Sequence, residues 1–298
     1  MTIVNNRYDF VLLFDVTDGN PNGDPEAGDM PRTDPETLQG FVTDVALKRK
    51  VRDFIHSVKG DQPPHRIYVQ HEGRGGKLLE ELHTEAHDAI GTNEKSRKNP
   101  PRDIREEAKR WMCQNFWDVR SFGAVMSLDV NAGQVRGPLQ LTFARSIDPV
   151  LTTGVAITRV IRATARRAAR GGTAEMGSKN VVPYGLYRAH GFVSPSFAKD
   201  TGFTEEDLEL FWQALLRMFE DDRSASRGLM ATRELVVFRH ESRLGNAPAH
   251  ELFDRVSVKR LDPEKAARRF EDYAVSIDDT ALPSGVSVLR PAPRYGEL

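Results

Sequence analysis

The chain has 298 residues, 39% hydrophobic and 29% charged, enough apolar material for a core and too little bias for a disordered tail. Its length suits one large domain with insertions or two modest ones, at about 100 to 200 residues per domain. The single cysteine, Cys113, excludes an intramolecular disulfide scaffold and a cysteine-based zinc site. No run approaches the roughly 18 to 20 apolar residues of a membrane span, so a cytoplasmic protein without signal peptide or anchor is expected.

Lys plus Arg number 42 against 43 for Asp plus Glu, a balance that hides segregation. Arg145 to His190 holds eight basic residues (Arg145, Arg159, Arg162, Arg166, Arg167, Arg170, Lys179, Arg188) and two acidic ones (Asp148, Glu175), a local +6 that leaves −7 for the rest. A second cluster, Lys48, Arg49, Lys50 and Arg52, lies within Leu47 to Phe54. Two positive patches on an acidic body suit a polyanion held on one face, although blocks of like charge are also simply solvated helix faces.

In chain order, the apolar run Tyr8 to Val16 predicts a buried strand. Thr17 to Pro35, broken by Pro21, Asn22-Gly23, Pro25, Pro31 and Pro35, predicts a long irregular loop. Leu47, Val51, Phe54, Ile55 and Val58 recur at helical spacing within Phe41 to Val58, with Lys48 and Arg52 four apart on the shoulder of that stripe. Pro63 to Lys109 is rich in Gly, Pro and charge and predicts an insertion with one helix at Lys77 to Ile90. Core signal returns at Trp111. Gly123 to Val130 and Pro138 to Ile147 predict strands separated by a Gly-rich turn, Asn131 to Gly137. Thr204 with Asp207 forms a capping-box pattern ahead of Leu208, Phe211, Trp212, Leu215 and Phe219 at helical spacing, and Leu235 to Phe238 predicts a late strand. The order strand, helix, strand, strand, helix, strand is the βαββαβ of an α+β, ferredoxin-like sheet with helices on one face.

Several motifs fail on inspection. Asp18 to Gly23 with Asp29 matches the spacing of a calcium loop, but the last ligand is Asp instead of Glu, a strand precedes it and prolines stiffen it. His83 and His87 share a helix face without an HExxH pattern or an evident third ligand, so solvated histidines are expected. Gly73 to Lys77 lacks the first glycine and the hydroxyl of a phosphate loop. Cys113 sits beside Trp111 and Met112 as a core thiol, and no serine lies in G-x-S-x-G. Asp18, Asp24, Asp29 and Asp34 are explained by turn and cap chemistry. What remains is a binding constellation: Asn20 and Asn22 in the loop, Lys48 and Arg52 on the helix, and the segment Arg166, Arg167, Arg170, Gly171, Gly172, Gly177 and Lys179. Cations for phosphates, amides for phosphate oxygens or 2′-hydroxyls, and glycines for close approach suit a sequence-independent grip on RNA. The aromatic motif that stacks bases on a recognition-motif sheet is missing.

The blocks Asn20 to Pro25, Pro31 to Asp34, Val42 to Arg49, Asp118 to Met126 and Gly137 to Gln140 resemble the backbone subunit of a type I CRISPR Cascade complex, the Cas-seven group of the RAMP superfamily, and most nearly its I-C branch. The resemblance runs from about Tyr8 to Phe238. It implies one RRM-like palm spanning 1–298, a finger-type insertion at 60–115 and a thumb-type hairpin at 148–183. It also implies a non-catalytic protein without metal or cofactor. Copies of it stack head to tail along a guide RNA (crRNA) and present the guide to a target DNA strand in antiviral defence, with the large, small and guide 5′-end-capping subunits as further partners. By the same resemblance Thr43, Lys48, Arg49 and Arg52 approach guide phosphates, Asn20 and Asn22 belong to the first-loop motif, and Ser121 and Phe122 to the block after the fingers. Met176, Gly177, Ser178 and Lys179 fall in the thumb, with Met176 as a wedge. Related type III subunits cut RNA through a first-loop Asp, which leaves a metal-dependent endoribonuclease using Asp24 or Asp34 as the alternative.

Overall fold

The computed structural model describes residues 2–159 and 175–296. The first strand, β1 (Tyr8–Gly19), is followed by the short pair β2 (Gly23–Asp24) and β3 (Met30–Pro31), then β4 (Gln39–Val42) and α1 (Asp44–Lys59). Next come α2 (Leu79–Ala89), α3 (Arg102–Asn115), α4 (Trp117–Phe122) and the hairpin of β5 (Gly123–Ser127) with β6 (Asn131–Arg136). Strands β7 (Leu139–Leu141), β8 (Ala144–Pro149), β9 (Thr153–Arg159) and β10 (Glu175–Val193) lead to α5 (Pro195–Thr201) and α6 (Glu205–Arg217). The chain then returns through β11 (Leu229–His240), α7 (Ala249–Asp254), β12 (Val256–Arg260), β13 (Tyr273–Ile277) and β14 (Val286–Leu289).

The result is a mixed α+β protein around a central antiparallel sheet. Its order is β14-β11-β1-β10-β8-β4, with β7 and β9 also paired to β10. β1 lies between β10 and β11, matching Phe10 to Gly191 on one side and to Val237 on the other. Because side chains alternate along a strand, Tyr8, Phe10, Leu12, Phe14 and Val16 face the layer of α1 and α6. Val11 and Leu13 face the opposite way, onto Leu252, Val256 and Tyr273. The sequence pattern placed helices on one face only; here segment 249–277 covers the other. A strand buried on both sides explains why Tyr8 to Val16 reads as a continuous apolar run instead of an alternating one.

Between α1 and β7 a second apolar cluster gathers Tyr68, Leu82, Ala86, Ala108, Met112, Phe116, Val119, Met126 and Val135. Its packing therefore runs through α2 and α3 into the β5–β6 hairpin. Asn131 to Gly137, expected as a turn, is mostly the strand β6. Its glycines are needed for close approach: a Cβ on Gly137 would overlap Ser121 O, and Gly123 takes φ +82° beside Val135 O. His83 and His87, expected to be solvated, are fully buried. His83 Nδ1 donates to Val130 O (2.7 Å) and its Nε2 accepts from the Tyr68 hydroxyl (2.8 Å), while His87 Nε2 donates to Asn131 O (2.9 Å). Carbonyls at the tip of the β5–β6 hairpin thus find buried partners.

Candidate nucleic-acid interface

The interface is built on the start of α1. Thr43 caps that helix, its Oγ1 accepting from Ala46 N (3.2 Å), which satisfies an amide that has no partner within the helix. Asn22 Oδ1 accepts from both Thr43 N (3.0 Å) and Thr43 Oγ1 (3.1 Å). Asn20 Nδ2 donates to Asp29 O at 2.6 Å. Asn20, Asn22 and Thr43 thus fold the first loop against the helix and fix its shape.

At the end of the sheet where β1 stops and β11 begins, this loop forms one wall of a cleft of about 510 Å³. The loop contributes Asn20 to Gly23, α1 contributes Arg49, Lys50 and Asp53, and β10 contributes Ser178, Lys179 and Asn180. Asp222, Ser226 and Arg227, ahead of β11, close it. Lys50 is 5% exposed and pairs with Asp222. Burial pulls its ammonium below the usual lysine range, with the Asp222 carboxylate opposing. The same carboxylate lies 2.9 Å from Arg227 Nε as an ion pair, so one anion is shared by two cations. Arg49 stands 62% exposed, 3.6 Å from Asp53, and Lys179 Nζ donates to Ala225 O at 2.6 Å. Arg49, Lys50, Lys179 and Arg227 outnumber Asp29, Asp53 and Asp222 around the cleft. With the amides and hydroxyls of Asn22, Ser178, Asn180 and Ser226 beside them, these groups suit phosphate and ribose more than an apolar ligand.

Not every expected contact residue reaches this surface. Arg52 donates from Nε to Asp118 Oδ2 (2.8 Å) with its side chain 11% exposed, so its charge is paired within the protein and it does not line the cleft. Lys48 pairs with Asp44 at 2.8 Å along the helix. Ser121 and Phe122 are buried, and Phe122 packs on Trp117 and Phe211 beneath the Lys48 and Arg52 cations. They belong to the core and not to an exposed face. Arg166 and Arg167 lie outside the described residues. Met176 is placed in β10 opposite Thr158, with its side chain outside what is described. Asp24 accepts from Glu26 N and pairs with Arg32. Asp34 accepts from Glu36 N and Thr37 N and pairs with Arg145; those amides hold its carboxyl below the usual carboxylate range.

The sequence profile of the family described as CRISPR-associated protein Cas7 matches residues 6–278. The chain belongs to that family. A relative described as CRISPR-associated protein Cas7 from Haloferax volcanii is 26% identical over 300 aligned positions, covering 92% of this chain and 81% of the relative. Among solved structures, a chain of a CRISPR RNA-guided surveillance complex, pre-nicking, aligns with TM-score 0.49 and 13% identity over 78% of each chain. A chain of a type III-B Cmr-beta complex bound to cognate target RNA aligns with TM-score 0.42 and 12% identity, covering 78% of this chain and 61% of that one.

Within this Cas7-family chain, Lys50, Asp222, Ser226 and Arg227 are cleft residues that the sequence did not single out as contacts. Lys50 carried a signal. It falls three residues after Leu47 and four before Phe54, inside the apolar stripe of α1, where a buried ammonium requires an anionic partner. The identity of that partner, 172 positions away, had no local mark.

Proposed function

We propose that the chain is a non-catalytic, cytoplasmic backbone subunit of a CRISPR surveillance complex of the type I-C branch. Copies bind head to tail along the crRNA and offer it to a complementary target DNA strand. The observation that carries the reading is the convergence of Asn20 and Asn22, Arg49, Lys179, and Arg227 on one cleft, although they are spread over more than 200 positions of the chain. Such a surface grips sugar and phosphate and leaves base edges free, as an RNA-guided effector requires.

Two further features support it. The strand order β11-β1-β10-β8, with α1 after β1 and α6 after β10, is the order a βαββαβ palm has, with 60–115 as fingers and 148–183 as thumb. Segment 249–277 covers the sheet face opposite the helices, so stacking of bases on that face is closed and a backbone grip elsewhere is favoured. The large, small and 5′-end-capping subunits are the expected neighbours. No feature of Asp24 or Asp34 favours the nuclease reading, since both carboxylates are held in turns.

The test is to purify the protein without nuclease from cells carrying a CRISPR array and companion subunits, and to weigh it by native mass spectrometry. Array-derived RNA of defined length bearing several protein copies is expected. An RNA-free monomer overturns the proposal, and Mg²⁺-dependent cleavage of target RNA that is lost in Asp24→Ala or Asp34→Ala replaces it.

A further inference from the structure

The segment after β14 lies against α6. Glu209, Gln213 and Arg217 are spaced four apart and therefore form one ridge of that helix. Gln213 is 2% exposed, and both ends of its amide are engaged. Nε2 donates to Ala292 O (3.0 Å) and Glu209 Oε1 (3.1 Å), while Oε1 accepts from Arg294 N (2.8 Å). Pro291 and Pro293 have no amide hydrogen to offer and preset their φ. A carbonyl at 292 and an N–H at 294 are thus the natural main-chain handles of a Pro-Ala-Pro-Arg sequence, and Gln213 takes both. Side chains add to the contact. Arg294 pairs with Glu209 at 3.1 Å, Arg217 donates to Arg294 O (2.5 Å) and lies 5.1 Å from the Tyr295 ring, and the Tyr295 hydroxyl donates to Glu220 (3.3 Å). Clefts of about 610 and 270 Å³ flank the segment, so it does not fill its groove.

We propose that this ridge of α6 is a peptide-binding site for a proline-flanked segment of the form Pro-x-Pro-Arg-Tyr, read on its main chain by Gln213. Residues 290–296 occupy it in cis as a releasable latch, and a peptide of the same chemistry takes it in trans. A bidentate amide clasp on a segment of low conformational entropy is a low-cost mode of peptide recognition. The site shares no lining residue with the RNA cleft and does not depend on the RNA reading.

A labelled Arg-Pro-Ala-Pro-Arg-Tyr-Gly peptide tests it by fluorescence anisotropy, against a full-length chain carrying Pro291→Gly, Pro293→Gly, Arg294→Ser and Tyr295→Ser. Saturable binding is expected, about tenfold tighter than to the unaltered chain. That factor assumes a cis segment at an effective concentration of about 1 mM competing against a peptide Kd of about 100 μM. Adding Gln213→Ala should weaken the peptide at least about tenfold, which corresponds to 1.4 kcal/mol. Absence of binding, or binding indifferent to Gln213→Ala, overturns the proposal. In the unaltered chain, millimolar unlabelled peptide should speed hydrogen exchange within 290–296; unchanged exchange there counts equally against it.

Discussion

Arg120 clasps Asp207 through two parallel hydrogen bonds, Nε to Oδ2 at 2.9 Å and Nη2 to Oδ1 at 2.6 Å, across 87 positions of sequence. Asp207 is also the reciprocal member of the α6 capping box, accepting from Thr204 N at 3.1 Å. Arg120 further donates to Pro64 O at 2.5 Å. One ion pair thus ties the start of the insertion, α4 and the start of α6 together. Both partners are nearly fully buried, so removing one strands the other charge in a dry site.

Arg120→Ala should therefore lower unfolding stability by about 3 to 5 kcal/mol, measured by urea titration. Arg120→Lys should not restore it, because an ammonium cannot reproduce the planar fork. A loss below about 1 kcal/mol would contradict this role.

Arg52 and Arg49 are three apart on α1 yet should behave differently. Asp118 accepts from Tyr68 N (2.7 Å), Val69 N (3.1 Å) and Arg52, so Arg52→Ala leaves a buried carboxylate short of a donor. It should cost about 2 to 3 kcal/mol of stability. Arg49→Ala, at an exposed position, should leave the melting temperature within about 1 °C of wild type.

The pH dependence has an identifiable contributor. Burial, followed by the neighbouring Arg188 charge, pulls His190 down to about 4 from 6.5, with Asp254 opposing. Between those values the unfolded chain binds the extra proton, so this group's contribution is full above pH 6.5 and is lost as pH falls toward 4. His190→Phe, which keeps a ring to stack on Phe253, should flatten the stability profile in that window. An unchanged slope would contradict the assignment.

Cys113 is buried and its thiol is pushed up to about 12 by desolvation. An aromatic disulfide reagent at pH 8 should leave it untouched in the native protein and react fully in denaturant. Rapid native-state reaction would show that the second apolar cluster opens readily.

Local chemistry explains which parts were legible in the sequence. The helix Asp44–Lys59, the Thr204 capping box and the paired run Tyr8–Gly19 carry signals within a few residues of each other. The strand Asn131–Arg136 was missed because Asn and Gly are turn formers, and its pairing with Gly123–Ser127 rests on tertiary approach at Gly137. The burial of His83 and His87 was missed because the carbonyls that need them lie more than 40 positions away. Asn20, Asn22, Arg49 and Lys179 were legible as cleft residues by resemblance and residue type. Arg52, Ser121 and Phe122 shared those blocks but serve packing and buried pairing.

The central claim is a sequence-independent grip on RNA phosphates through the cleft. The most direct test is the slope of log affinity against log salt for single-stranded RNAs of unrelated sequence, with wild type and the Arg49→Ala, Lys179→Ala double variant. Each lost phosphate contact lowers the slope by about 0.7 on a single strand, so the double variant should lose about 1.4, equally for every sequence. An unchanged slope, or a loss confined to particular sequences, would contradict the claim.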